Sequence, residues 1–165
     1  MTPMRRLSER GLTLTEVTIV MALASIVMLG LVGFYMNSQA TWMDASAQAI
    51  TQREATALLE TIAERVHQSA RATVTDLSAD GQWTQLDLFD SGGTTASYTY
   101  RCEADSLVYE WSSAAGDWGA AATSKAEQFQ CVSGDSLVQV TLQLRSAEGQ
   151  HIQLSTALAL INRHP

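Results

Sequence analysis

Apolar and polar residues divide the chain into stretches with different periods. The first is a run of about 20 almost uniformly apolar residues, Val17 to Met36, interrupted only by Thr18 and Ser25. As a helix that rises ~1.5 Å per residue, this run is long enough to cross the ~30 Å hydrocarbon core of a bilayer. The rest of the chain is too short to surround such a helix on every side. The run therefore predicts a membrane-spanning helix.

A helical period continues beyond this run. Residues 37–72 contain no glycine or proline and are rich in alanine, glutamine, glutamate and arginine. We expect one helix from Thr13 to about Ala72, with its first half in lipid and its amphipathic half, residues 37–72, against a folded body. A free coiled coil is the competing interpretation, although sustained heptads are absent. The apolar residues that recur every three or four positions are Ala55, Leu59, Ile62, Val66 and Ala70.

After residue 72 the pattern changes to short alternating segments, which indicate β-strands. Two pairs of these segments are separated only by short turns and predict hairpins. The predicted fold class is α+β, in which a long N-terminal helix packs through its amphipathic half on an antiparallel β-sheet head formed by residues 73–165. Residues 114–122 are expected to form a loop. Strands are expected at residues 83–89, 96–102, 106–111, 127–132, 137–144 and 151–158.

Charge is unevenly distributed along the chain. The formal net charge is −7, yet Arg5, Arg6 and Arg10 precede the apolar run with only Glu9 against them. A basic start, an apolar span and an acidic body are typical of a single-pass inner-membrane protein whose C-terminal domain lies in the periplasm. The acidic body disfavours nonspecific nucleic-acid binding, because it repels phosphates.

Two kinds of export signal fit a basic start followed by an apolar run. An ordinary signal peptide is removed after the run, and the small residues Ser38-Gln39-Ala40 suit that cut. The run is longer than the apolar core of most signal peptides, however, and the charged Glu16 stands at its entrance. A cut on the other side of the run, ahead of Glu16, fits these residues better.

The stretch Arg10-Gly11-Leu12-Thr13-Leu14-Thr15-Glu16-Val17 resembles the processing site of type IV prepilins and pseudopilins. The resemblance implies that prepilin peptidase removes a leader, residues 1–11, after Gly11. Leu12 then becomes the N-methylated end of a transmembrane and filament-core helix, residues 12–36, and Glu16 is the fifth mature residue. The usual residue at the Leu12 position is phenylalanine. The family's proline within the apolar segment is absent, and Gly30 and Gly33 in that region are candidates to loosen the helix instead.

Glu16 is the physically unusual residue of this segment. A carboxylate at the bilayer centre costs about 2.5–3.5 kcal/mol, and less near the interface, where it could simply remain in headgroup water. Alternatively, Glu16 pairs with the amine that cleavage creates on Leu12 of a neighbouring subunit, and so fixes the axial register of the packed helices. Gly11 favours cleavage, because glycine neither obstructs a protease nor restricts an extended backbone. We therefore expect Glu16 to act in assembly.

Cys102 and Cys131 follow the predicted span and are therefore expected in the oxidising periplasm. We expect a disulfide between them, which would close a loop of about 30 residues and stabilise the fold by roughly 3–4 kcal/mol. Two separate buried thiols are the alternative. Two cysteines and scattered histidines do not form a structural zinc site, and the sequence predicts neither a metal nor another cofactor.

The sequence contains no Ser/His/Asp grouping, paired-carboxylate motif or phosphate-binding glycine loop. The resemblance implies a non-enzymatic structural subunit, either a minor pilin of a type IV pilus or a minor pseudopilin of type II secretion. Its expected partners are prepilin peptidase, other pilin or pseudopilin subunits, the inner-membrane assembly platform and membrane lipid. A filament-tip binding module, such as an adhesin or DNA-uptake protein, is the second interpretation. Exposed aromatic or basic residues within 91–125 would favour it, and that region contains aromatic residues but little positive charge. A membrane-tethered periplasmic enzyme is the third.

Overall fold

The computed structural model describes residues 13–103, 106–134 and 136–161. The chain divides into two compact units, residues 1–43 and residues 44–165. The second unit holds the C-terminal part of the single long helix and all the strands assigned in the described ranges. The helix is α1 (Leu14–Gln68), and the strands are β1 (Arg71–Asp76), β2 (Thr84–Phe89), β3 (Tyr98–Cys102), β4 (Val108–Ser112), β5 (Asp117–Ala120), β6 (Lys125–Ser133), β7 (Leu137–Arg145) and β8 (His151–Ala159).

The C-terminal part of α1 is amphipathic, as its sequence predicts. Its buried positions recur every three or four residues and include every member of the predicted stripe that lies within the helix. Arg53, Glu60 and Glu64 are exposed on the other side. The apolar period therefore decides which face of α1 enters the core. The buried residues are Thr51, Ala55, Leu58, Leu59, Ile62 and Val66.

The helix ends earlier than predicted, at Gln68 rather than at about Ala72. The Ser69 hydroxyl donates to the Arg65 carbonyl at 2.7 Å, and the Ala70 N–H donates to the Phe89 carbonyl at 2.8 Å. The backbone at Ala70 is therefore bonded to the sheet instead of to the preceding turn of helix. The residues that follow form β1, a strand that the sequence pattern did not predict.

The strands form two antiparallel sheets. Strands β1 to β5 follow one another in chain order in the first sheet, and β6 to β8 do so in the second. All six predicted strands are present, and β1 and β5 are additional. Strand β5 lies within the predicted loop 114–122, because the chain turns at Gly116, whose φ is 68°, and pairs Trp118 with Trp111. Glycine adopts this left-handed conformation without steric cost.

The core is built from the amphipathic part of α1 and from both sheets. Alternate residues of the central strands point into it, as the two-residue period of a strand requires, and Leu86, Tyr100 and Leu142 are fully buried. The Thr84 hydroxyl donates to the Phe129 carbonyl at 3.3 Å and accepts the Cys131 N–H at 2.7 Å, so it joins the two sheets. The predicted α+β class, a long N-terminal helix packed on antiparallel sheets, is confirmed.

Glu54 connects α1 to the segment between the two sheets. Its carboxylate accepts hydrogen bonds from the Thr123 hydroxyl and, at 3.0 Å, from the Ser124 N–H. Partial burial raises the pKa of Glu54, but the hydrogen bonds from Ser124 and Thr123 together outweigh that effect, so the pKa is lowered from its ordinary value of 4.5. The folded state therefore favours the ionised carboxylate.

We expect Glu54→Gln to lower the free energy of unfolding by about 1 kcal/mol at neutral pH, because neutral hydrogen bonds replace bonds to a charged acceptor. The folded pKa lies below 4.5, so this stabilisation is present at higher pH and is lost as the pH falls through the folded pKa. Thermal unfolding of the detergent-solubilised protein should show a gap in stability between parent and variant. This difference in the free energy of unfolding should decrease toward acidic pH. Glu60→Gln, the same change at an exposed position of α1, should produce no such gap. A gap that does not change with pH would contradict a role for the charge.

Candidate assembly site at the start of the long helix

Two of the predicted site residues, Gly11 and Leu12, lie outside the described residues, whereas Glu16 lies in the first turn of α1. Thr13 caps this turn: the Glu16 N–H donates to Thr13 Oγ1 at 3.3 Å, and the Val17 N–H donates to the Thr13 carbonyl at 3.2 Å. A threonine followed three residues later by a glutamate is the sequence pattern of a capping box. The predicted start of the helix at Thr13 therefore has a specific cause, a side-chain cap that the apolar pattern alone does not reveal.

The Glu16 carboxylate lies at the positive end of the helix dipole. The first turn of a helix carries N–H groups without partners inside the helix, and a negative charge there gains ~0.3–1 kcal/mol. Glu16 is exposed, so another molecule can reach its carboxylate. Its place in the helix therefore makes a charge tolerable beside an apolar segment and leaves it open to a cation from a neighbouring chain.

The apolar segment after Glu16 has no other charged side chain before Asp44. Thr18 and Ser25 donate their hydroxyl hydrogens to the carbonyls of Leu14 and Met21 at 2.9 and 2.8 Å. These polar groups are therefore satisfied within the helix itself, as an environment of lipid or apolar protein requires.

Large apolar side chains of this segment are exposed, from 41 % for Val17 to 74 % for Leu29. The most apolar stretch of α1 has a mean hydropathy of 2.5 with none of it buried, and the helix is long and apolar enough to cross a membrane. Helix α1 runs unbroken through Gly30 and Gly33, and apart from its own backbone no atom lies within 4 Å of a Cβ built at either glycine. Bare glycine lets another helix approach closely. Lipid or the apolar helices of other subunits would cover such a segment.

Cys102 and Cys131, the predicted disulfide pair, are both buried in the core. Both neighbour Thr84: the Cys131 N–H donates to its hydroxyl, and the pairing of Gln85 with Arg101 places Thr84 across from Cys102. The structure does not show the predicted bridge, since the two sulfur atoms are not bonded to each other. Burial raises the pKa of the Cys131 thiol to about 12. Because the thiolate is the reactive form, a closed core opposes oxidation, and the bridge is expected to form before the core closes.

The bridge therefore stays a prediction: we expect protein recovered from the membrane of the producing cell to contain one Cys102–Cys131 disulfide. Denatured protein should gain two alkyl groups in its intact mass only after reduction. The double variant Cys102→Ser, Cys131→Ser serves as the unreactive control and should be destabilised by roughly 3 kcal/mol relative to the oxidised parent. Two alkylated thiols in unreduced parent protein would exclude the bridge.

Within the described ranges, no group of three or more histidine, cysteine, aspartate or glutamate side chains is placed to hold a metal ion. Two aspartates of the first sheet and its loops, Asp80 and Asp87, have partners within the fold. Asp87 accepts hydrogen bonds from Gln85 at 3.0 Å and from Thr99 at 2.7 Å, and Asp80 accepts one from the Ser78 hydroxyl. These two carboxylates therefore fix a turn and a pair of strands.

A comparison with known families identifies the N-terminal segment. Residues 6–32 match a family model described as the prokaryotic N-terminal methylation motif. The match includes Gly11, Leu12 and Glu16 and most of the apolar segment. No curated protein and no solved structure matches the chain. Because the motif coincides with the start of a long, exposed, apolar helix, the N-terminal segment of the chain is identified as a type IV prepilin motif.

Proposed function

We propose that the chain is a structural subunit, of the minor class, in a type IV pilus or a type II secretion pseudopilus. Prepilin peptidase cuts after Gly11, Leu12 is N-methylated, and the subunit is held in the inner membrane with its C-terminal domain in the periplasm. The assembly platform then moves the helix of residues 12–36 from lipid into the filament. One observation carries the proposal: the methylation motif coincides with the exposed apolar start of α1, which has the Glu16 carboxylate in its first turn and no other charged side chain before Asp44.

The physical chemistry of this helix supports a change of environment. Lipid chains and apolar helices are similar solvents for its side chains, so little hydrophobic free energy separates storage from assembly. Glu16 differs, because its charge is unfavourable in lipid unless it is paired. A neighbouring N-terminal amine supplies that pair in the filament. The residue that opposes burial in lipid thus favours assembly and restricts it to one axial register.

A deletion strain tests the proposal. Filaments sheared from cells that express the chain should contain it in processed form, and in smaller amount than the major subunit. Loss of twitching or DNA uptake on deletion would identify a pilus, whereas loss of protein secretion would identify a pseudopilus. A chain that is absent from filaments of both kinds, with neither phenotype affected by its deletion, would contradict the proposed function.

A filament-tip binding module is the second candidate, favoured by the outward face of the first sheet. Trp111 pairs there with Trp118, and Tyr109 lies on the same face. All three are half-buried, and the Arg101 guanidinium lies 4.0 Å from the centre of the Trp118 ring. Tyrosine and tryptophan are enriched at binding surfaces. If this face binds a ligand, Trp111→Ala should reduce adhesion or DNA uptake while incorporation into filaments stays at the parental level.

A further inference from the structure

Three nitrogen-bearing side chains form a row across the second sheet. Lys125 of β6 is paired with Arg145 of β7, which is paired in turn with His151 of β8. Residues paired in this way point to the same face of a sheet, and all three are exposed. Like charges directly opposite each other on neighbouring strands are destabilising. An anion between Lys125 and Arg145 would therefore relieve their repulsion.

One acidic side chain, Glu127, contacts the His151 end of this row. Glu127 occupies the bulge at which the β6–β7 register shifts. Its Oε2 lies 2.5 Å from His151 Nδ1, whereas its Oε1 is 3.9 Å from Arg145 Nη1. In the described part of the chain, no carboxylate forms an ion pair with Lys125. Lys125 is thus left without a close counter-ion, and Arg145 has only a distant one, on a protein whose net charge is −7.

Lys125 and Arg145 also line a cleft of about 640 Å³, formed by residues 123–125 and 145–149. Glu54 fixes the first of these segments through its hydrogen bonds to Thr123 and Ser124. The second segment turns at Gly149, whose φ is 84°, and the Ser146 N–H closes this turn by donating to the Gln150 carbonyl at 2.8 Å. Both segments are therefore held in place by contacts of their own.

We propose that this basic cleft, residues 123–125 and 145–149, binds an oxyanion between the Lys125 ammonium and the Arg145 guanidinium. A guanidinium donates two parallel N–H bonds to a carboxylate or phosphoryl group, and an ammonium adds a compact charge. The lining residues include two cations and one carboxylate, Glu148. The neighbouring Glu54 and Glu127 carboxylates accept hydrogen bonds from Thr123, Ser124 and His151, so the Lys125 ammonium remains available to an anion. The oxyanion is either a carboxylate of an acidic protein segment or a phosphoryl group. The site is remote in sequence from the methylation motif and does not depend on the filament role.

Inorganic phosphate is the first probe. Thermal unfolding of the full chain in non-ionic detergent should shift to higher temperature in phosphate than in chloride of equal ionic strength. Lys125→Gln and Arg145→Gln should each weaken the apparent affinity about tenfold or more, because each removes a charge-assisted hydrogen bond. Glu148→Gln should strengthen it, because the competing negative charge is removed. Arg53→Gln, which changes an exposed arginine outside the cleft, should behave like the parent.

Succinate at the same ionic strength distinguishes the two sources of the oxyanion. A succinate effect larger than that of phosphate assigns the cleft to carboxylates of a protein segment, and a larger phosphate effect assigns it to phosphoryl groups. An unchanged phosphate effect in Lys125→Gln and Arg145→Gln, or a parent that does not distinguish phosphate from chloride, would overturn the proposal. If Arg145→Gln does not fold, the exposed substitutions Lys125→Gln and Glu148→Gln still decide it, because they are expected to act in opposite directions.

Discussion

Glu16→Gln should reduce the incorporation of processed subunits into filaments by two to three orders of magnitude. Glutamine has nearly the shape of glutamate, so the substitution removes the charge and leaves a neighbour's N-terminal amine unpaired in apolar surroundings. Removing one partner of a buried ion pair costs ~3–5 kcal/mol, and each ~1.4 kcal/mol corresponds to a factor of ten. Blotting of sheared filaments for the processed subunit, normalised to the membrane fraction, measures the effect.

The rest of the N-terminal segment should be unaffected by this change. Thr13 caps the helix through the backbone N–H of residue 16, which glutamine retains. Cleavage after Gly11 should therefore continue. Glu60→Gln makes the same chemical change at an exposed position of the same helix and should assemble normally. Parental incorporation of processed Glu16→Gln would refute the pairing and would place the subunit at a filament tip, where no neighbour above needs to be engaged.

Gly11→Leu should abolish removal of the leader, so that nearly all of the protein remains a precursor in the membrane. A branched side chain at the cut obstructs the peptidase and restricts the extended backbone that cleavage requires, whereas glycine does neither. Insertion should survive, because the apolar segment is unchanged. Immunoblots of membranes from cells that coexpress a prepilin peptidase should show only the species that retains residues 1–11.

A second glycine provides the control for this substitution. Gly30→Leu introduces the same side chain at a position where no atom beyond the helix's own backbone lies within 4 Å of the new Cβ, and its leader should be removed normally. Processing of Gly11→Leu at the parental rate would show that the peptidase does not recognise this glycine.

The elements that the sequence predicts correctly are those with strong local periods. The apolar run and the stripe through Ala55, Ile62 and Val66 specify α1, and alternation specifies six of the strands. The sequence does not predict β1 and β5, because pairing with a neighbouring strand, more than their own residue pattern, makes these segments strands. Arg71 to Asp76 pair with β2, and the four residues of β5 become a strand only because a turn at Gly116 brings them against Trp111.

The N-terminal motif can be recognised from the sequence for a related reason. Gly11, Leu12 and Glu16 lie within six consecutive residues, so their spacing needs no tertiary structure to interpret it. The basic cleft is different: Lys125 and Arg145 are 20 positions apart and meet only through the β6–β7 register. The aromatic face depends in the same way on the pairing of β4 with β5. Strand pairing forms these surfaces from residues that are distant in the sequence, so no short sequence motif predicts them.

The identity of the mature N-terminus tests the central claim most directly. The protein is extracted from membranes of cells with an active prepilin peptidase. Its N-terminal peptide is then sequenced, and its mass is measured by mass spectrometry. A processed pilin-like subunit gives a chain that begins at Leu12 and carries one extra methyl group on its amine. A chain that begins after Ala40, the product of ordinary signal peptidase, or one that keeps Met1 despite the active enzyme, would contradict it.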